Sequence, residues 1–179
     1  MTVKNVFLAV LLLVSGSVLA AKPAPTHDDG YRLGSGDILS INVYGEEGLT
    51  FKELPVSDAG FLSFPLIGNV VVKDRTTSQV TDDMVAKLKN GYLNDPQVSV
   101  NVVTYRPFFI NGEVKKPGAY PYKPSMTVDN AISMGEGLTE RGSNKRVTIT
   151  HADGRKDEKA TTASPISPGD TITIDQGFF

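Results

Sequence analysis

A Gly-Asp pair that launches a run of alternating apolar residues occurs twice in this chain, and no other feature constrains its fold as strongly. Near one end stands Leu33-Gly34-Ser35-Gly36-Asp37-Ile38-Leu39-Ser40-Ile41-Asn42-Val43. Near the other stands Ile166-Ser167-Pro168-Gly169-Asp170-Thr171-Ile172-Thr173-Ile174. Glycine reaches left-handed backbone angles, and aspartate can bond the backbone close by in sequence, so each pair reads as a turn. A period of two then puts Leu39, Ile41 and Val43 on one face of a strand, and Ile172 and Ile174 on one face of another. Two copies are too few for a solenoid. They predict two small β-rich modules in tandem.

The first 20 residues read as a secretory signal. Lys4 is followed by the unbroken apolar run Val6 to Val14, and Val18-Leu19-Ala20 offers a cut after Ala20, with Ala21 as the alternative. A membrane anchor needs about 20 apolar residues, and Ser15, Gly16 and Ser17 interrupt this run. Residues 21–29 form a flexible Ala- and Pro-rich leader. Its His27-Asp28-Asp29 lacks the converging geometry that a metal site needs. The mature chain is therefore expected outside the cytoplasm. With no cysteine, disulfides, thiolate chemistry and a lipidated N-terminal Cys are excluded, and a membrane tie would come through a partner. There are 18 Lys and Arg against 20 Asp and Glu, scattered without a basic stripe, which argues against nucleic acid.

Two helices are legible. Thr76 with Gln79 forms a capping box ahead of Val80, Met84, Val85 and Leu88, with Asn90-Gly91 as the stop. Thr127 caps a shorter helix carrying Val128, Ala131 and Ile132. Val98, Val100 and Val102 alternate as a strand after Asn94-Asp95-Pro96, and Tyr105-Arg106-Pro107 marks the module boundary. Asp58-Ala59-Gly60 reads as a hairpin loop, and Pro65 as a strand break. Phe108 to Val114 reads as a strand. Lys116-Pro117-Gly118 fits a type II turn, and Asp153-Gly154 a hairpin. The closing Phe178-Phe179 reads as a core plug. The fold class is α+β: two modules with one helix each, spanning residues 30–107 and 108–179.

No nucleophile elbow, zinc-protease helix or Walker loop is present. Gly34-Ser35-Gly36 precedes a strand instead of following one, so it is no dinucleotide fingerprint. Glu46-Glu47 and Asp82-Asp83 are sequence neighbours, not the spaced carboxylate pair of a glycosidase. His151 reads as a surface residue at a strand end. These features predict a non-enzyme with no catalytic, cofactor or metal residues.

In order and spacing, these phrases resemble the bacterial outer-membrane polysaccharide export proteins. The likeness rests on Tyr31 to Asp37, on Val56-Ser57-Asp58-Ala59-Gly60 leading to Pro65-Leu66-Ile67-Gly68, on the Thr76 to Leu88 helix, and on Asp95-Pro96-Gln97-Val98. It continues through Ile110-Asn111-Gly112-Glu113 to Pro117-Gly118-Ala119-Tyr120, through Thr127 to Thr139, and through Ser167-Pro168-Gly169-Asp170. The resemblance implies a polysaccharide export domain followed by one soluble-ligand-binding β-grasp domain. Its motif positions are Gly36, Asp37, Gly60, Pro65, Gly68, Pro96, Gly112, Glu113, Pro117, Gly118, Gly169 and Asp170, all with structural roles.

The resemblance further implies a periplasmic ring of identical subunits that guides a capsule or exopolysaccharide chain. An inner-membrane polysaccharide co-polymerase would be a partner. Long members carry a lipidated Cys, further β-grasp repeats and a C-terminal pore helix, which this sequence lacks. A separate outer-membrane pore, such as a β-barrel, is therefore expected. Tyr31, Tyr44, Tyr120 and Tyr122 are available to touch the polymer. The alternative is a monomeric periplasmic module that binds a glycan or small ligand. A polysaccharide-cleaving enzyme ranks last.

Overall fold

The computed structural model describes residues 30–177. The signal with its cut at Ala20 or Ala21, the leader and the Phe178-Phe179 plug lie outside the described residues. Those described form two sheet-and-helix bodies, each around its own apolar cluster.

In the first body, β1 (Ile38–Val43) lies between β2 (Phe51–Pro55) and β5 (Val98–Thr104), antiparallel to both. Leu39, Ile41 and Val43 all point into the core, as their alternation requires. Helix α1 (Thr77–Lys89) covers them with Val80, Met84 and Leu88. Its start is set by the Thr76–Gln79 capping box, in which each residue's side chain accepts the other's backbone N–H. Asp83 and Lys87 pair at 3.1 Å on the outer face, an exposed contact worth a few tenths of a kcal/mol.

The hairpin β3 (Phe61–Phe64) and β4 (Gly68–Val71) adds Leu62, Phe64 and Val70 to the same core. Here the sequence expectation is corrected. The hairpin turn is Pro65-Leu66-Ile67, while Asp58-Ala59-Gly60 sits in a loop closed between Ser57 and Phe61. That loop passes the chain from β2 to β3, strands that belong to different sheets. Gly60 accommodates it because a Cβ there would meet Lys73 Cβ at 2.5 Å. The polar Gly45–Gly48 loop runs into a 3-10 turn, Glu47–Leu49, which tucks Leu49 inward.

The second body is a five-stranded sheet in the order β7-β6-β10-β8-β9. Its strands are β6 (Phe108–Gly112), β7 (Gly118–Tyr120), β8 (Gly142–Thr150), β9 (Lys156–Ala160) and β10 (Thr171–Gln176). The central pair, β6 with β10, is parallel, and all other pairs are antiparallel. Helix α2 (Val128–Met134) packs Val128, Ala131 and Ile132 against Phe108, Ile110, Ile172 and Ile174. Asn130 Oδ1 accepts from the backbone N–H and hydroxyl of Thr127 at the helix start.

Two strand details differ from expectation. β6 stops at Gly112, and Val114 makes only an isolated bridge to Leu138. Gly118 is not the left-handed residue of a type II turn. It opens β7 opposite Ile110 and does not adopt a positive φ. The Asp153-Gly154 turn does join β8 to β9, with Gly154 at φ 87°.

Candidate functional site: a clasp and cleft between the modules

The two Gly-Asp turns have nearly the same geometry. In the first, Asp37 Oδ2 accepts the Gly34 N–H at 2.8 Å and Asp37 donates its own N–H to the Gly34 carbonyl at 3.2 Å. In the second, Asp170 Oδ2 accepts from Ser167 N–H at 2.8 Å and Asp170 N–H reaches the Ser167 carbonyl at 3.1 Å. The intervening glycines, Gly36 and Gly169, sit at φ 88° and 84°, a region that L side chains avoid. Both carboxylates are buried, at 0% and 1% exposure.

One linker residue ties the turns together. Between β5 and β6, Arg106 donates its backbone N–H to Asp37 Oδ1 at 2.8 Å, and its Nη1 lies 3.6 Å from Asp37 Oδ2. Its Nε donates to the Pro168 carbonyl at 3.1 Å, inside the second turn. The guanidinium can lie there because glycines face it. A Cβ at Gly34 would stand 1.9 Å from Nη1, and one at Gly169 2.7 Å from Nε.

Tyr31 completes the charge arrangement. Its hydroxyl donates to Asp37, and the Arg106 guanidinium stands 5.7 Å from its ring centre. Burial first, then the Asp37 charge, push the Tyr31 phenol far above its ordinary value, so it stays protonated and remains a donor. On the second turn His151 Nδ1 lies 3.1 Å from Asp170 Oδ1. His151 is at the end of β8, as expected, but it is half-buried against a carboxylate and not a free surface residue.

A cleft of about 890 Å3 opens beside this clasp, bounded by residues of both modules. Tyr31, Tyr105 and Tyr122 line it as successive edge-to-face pairs, with ring centres 5.1 and 5.5 Å apart. Tyr44 and Tyr120 are not part of its wall. Tyr44 is 83% exposed after β1, whereas Tyr120 stacks on Phe108 and donates to the Lys116 carbonyl. Among the described residues, no group of three or more His, Cys, Asp or Glu is placed to hold a metal ion.

The other motif positions are dispersed. Glu113 follows β6 and accepts from Thr139 Oγ1, from Arg141 Nη2 at 2.9 Å and from Gln176 Nε2 at 3.1 Å. The Thr139 hydrogen bond, with help from Arg141 and Gln176, holds its carboxyl below the ordinary 4.5. A depressed carboxylate stabilises the fold fully above its unfolded value and loses that contribution as pH falls through the folded one. Urea unfolding of Glu113→Gln should therefore show lower stability than wild type at pH 7. The difference should shrink progressively as pH falls below 4.5. Gly112, Pro65 and Gly68 shape turns, Pro96 is buried ahead of β5, and Pro117 with Gly118 lies between β6 and β7.

Sequence reasoning singled out both Gly-Asp turns but missed Arg106, which joins them. The available signal was the position of Arg106 in the linker between the two modules that carry these turns. Tyr105, the middle ring of the ladder, was passed over for the same reason: as a linker residue it carries no periodicity.

Residues 25–103 match the family model for polysaccharide biosynthesis/export proteins, and residues 107–159 match that for the SLBB domain. The chain is 34% identical over 150 residues to the exopolysaccharide production protein ExoF of Rhizobium meliloti (strain 1021), covering 78% of this chain and 34% of that protein. It is 32% identical over 158 residues to the EPS I polysaccharide export outer membrane protein EpsA of Ralstonia solanacearum, covering 74% of this chain and 40% of that protein. The matched region thus spans well under half the length of these curated relatives.

Proposed function

We propose a function from the premise that this chain belongs to the polysaccharide biosynthesis/export family, its export domain followed by an SLBB domain. It serves as a non-catalytic periplasmic subunit of an exopolysaccharide or capsule export apparatus. The observation that carries this reading is the succession of the two domain matches along the chain, with relatives whose names specify exopolysaccharide production and export. The export domain is taken as residues 30–107 and the ligand-binding domain as 108–179.

The work is positional. Copies of the chain form a ring, receive polymer from an inner-membrane co-polymerase and pass it to a separate outer-membrane pore such as a β-barrel. Strands β2 and β5 edge one sheet, and β7 and β9 edge the other. Their unpaired backbone groups favour completion by a neighbouring subunit. No described helix is long and apolar enough to cross a membrane.

Deletion of the gene should strip polysaccharide from the cell surface and leave polymer in the periplasm, measured by sugar analysis of both fractions. Full surface polymer in the deletion strain would refute the reading. The second reading, a monomeric glycan-binding module, draws support from the cleft between the modules. It predicts saturable binding by a monomer and no export defect.

A further inference from the structure

We propose that the cleft between the modules is a saccharide subsite, built to hold a short run of neutral sugar units by aromatic and hydroxyl contacts. The proposal rests on the export reading and deepens it by naming where polymer touches the subunit.

Size is the first argument. At about 890 Å3 the cleft falls near the upper end of the range of roughly 300–1,000 Å3 found for ligand sites. That volume suits several linked sugar rings better than one small molecule. Its floor is also preorganised. Arg106 bonds both Gly-Asp turns across the module boundary, so the wall is in place before ligand arrives.

The wall chemistry selects the ligand class. Tyr31, Tyr105 and Tyr122 run along it with adjacent rings tilted at 73° to one another. A pyranose offers apolar C–H faces that pack on an aromatic ring, and equatorial hydroxyls that reach polar tips beside it. Tyrosine supplies both kinds of surface in one side chain. Tilted rings suit a chain whose successive units turn about their glycosidic bonds.

Charge then separates neutral sugar from polyanion. Arg106 faces Asp37, Arg155 Nε lies 2.6 Å from Asp153 Oδ2, and His151 faces Asp170. Arg32 Nη1 donates to the Asp74 carbonyl at 2.7 Å. Lys73 adds a fourth cation to Arg32, Arg106 and Arg155 on the wall; Asp74, Asp153, Asp170 and the buried Asp37 behind Arg106 match them in number, so these charges create no strong positive field to concentrate phosphate or uronate. They leave fixed donors and acceptors for hydroxyl groups, and each such contact is weak enough for a moving polymer to release.

The test uses the mature full-length protein and 1H–15N NMR titration. The probes are maltohexaose, a hexagalacturonate and a size-fractionated partial hydrolysate of the producing strain's own surface polymer. Neutral oligosaccharide should shift amides of the cleft wall. Tyr105→Ala should weaken that binding about tenfold or more. Ala152→Trp, which fills the cleft from an exposed wall position without removing packing, should do the same and guards against misfolding of the first variant. Tyr92→Ala, outside the cleft wall, should bind as wild type.

Shifts that avoid the cleft, binding unaffected by both cleft variants, or tighter binding of hexagalacturonate than of any neutral probe would overturn the proposal. Complementation separates this failure from failure of the export reading. If deletion abolishes surface polymer but Ala152→Trp restores it in full, the subsite is wrong and the export role stands. If deletion leaves surface polymer intact, the export role falls, and the NMR data alone judge the cleft.

Discussion

Asp37→Ala is expected to destabilise the protein by about 3–5 kcal/mol, the range for removing one partner of a buried ion pair. Four donors converge on this fully buried carboxylate: the Tyr31 hydroxyl, the Gly34 and Arg106 backbone N–H groups, and the Arg106 guanidinium. All four lose that acceptor when the carboxylate is cut away, and an unsatisfied buried donor costs far more than a made bond contributes. The midpoint of thermal unfolding should fall by on the order of 10 °C. Asp37→Asn should lose less, since its side-chain carbonyl still accepts. A double-mutant cycle with Arg106→Ala should be non-additive, because both substitutions sever one network. Additive effects would mean that Arg106 does not couple the turns.

Gly112→Ala is the second large effect, about 3 kcal/mol or more. Gly112 has φ 82°, where an L residue is disfavoured by about 1–2 kcal/mol. Its added Cβ would also lie 2.1 Å from the Ile174 carbonyl oxygen. That oxygen cannot move aside cheaply, since it accepts the Glu113 N–H at 2.9 Å at the end of the parallel β6–β10 pair. Overpacking against fixed backbone adds its own penalty. Gly154→Ala is the control. Its φ is 87°, but nothing lies within 4 Å of a Cβ there. It should cost only about 1 kcal/mol. Equal losses for the two variants in urea unfolding would show that the clash at Ile174 is relieved.

Local chemistry explains which parts of this fold could be read in advance. Capping at Thr76 and Thr127, the alternation of Leu39, Ile41 and Val43, and the Asp153-Gly154 hairpin depend on residues a few positions apart. Errors arose where the outcome depended on a distant strand. Whether Asp58-Ala59-Gly60 or Pro65-Leu66-Ile67 is the hairpin turn depends on β2 pairing with β1 and not with β3. Gly118 looked like a turn residue until its ladder partner Ile110 was known. Of the candidate site, both Gly-Asp turns were legible. The Arg106 clasp, the His151–Asp170 contact and the place of Tyr105 between two other rings were not.

The amino-acid order by itself determined two turns of one design, the strands they launch and the helices that cover them, because each follows from contacts within one or two turns of chain. Only the tertiary structure decided that the two turns meet at a single arginine beside a tyrosine-lined cleft. Asp37 and Asp170 are separated by most of the chain, and their approach is set by how the two sheets are oriented across a three-residue linker, a quantity that no local propensity encodes.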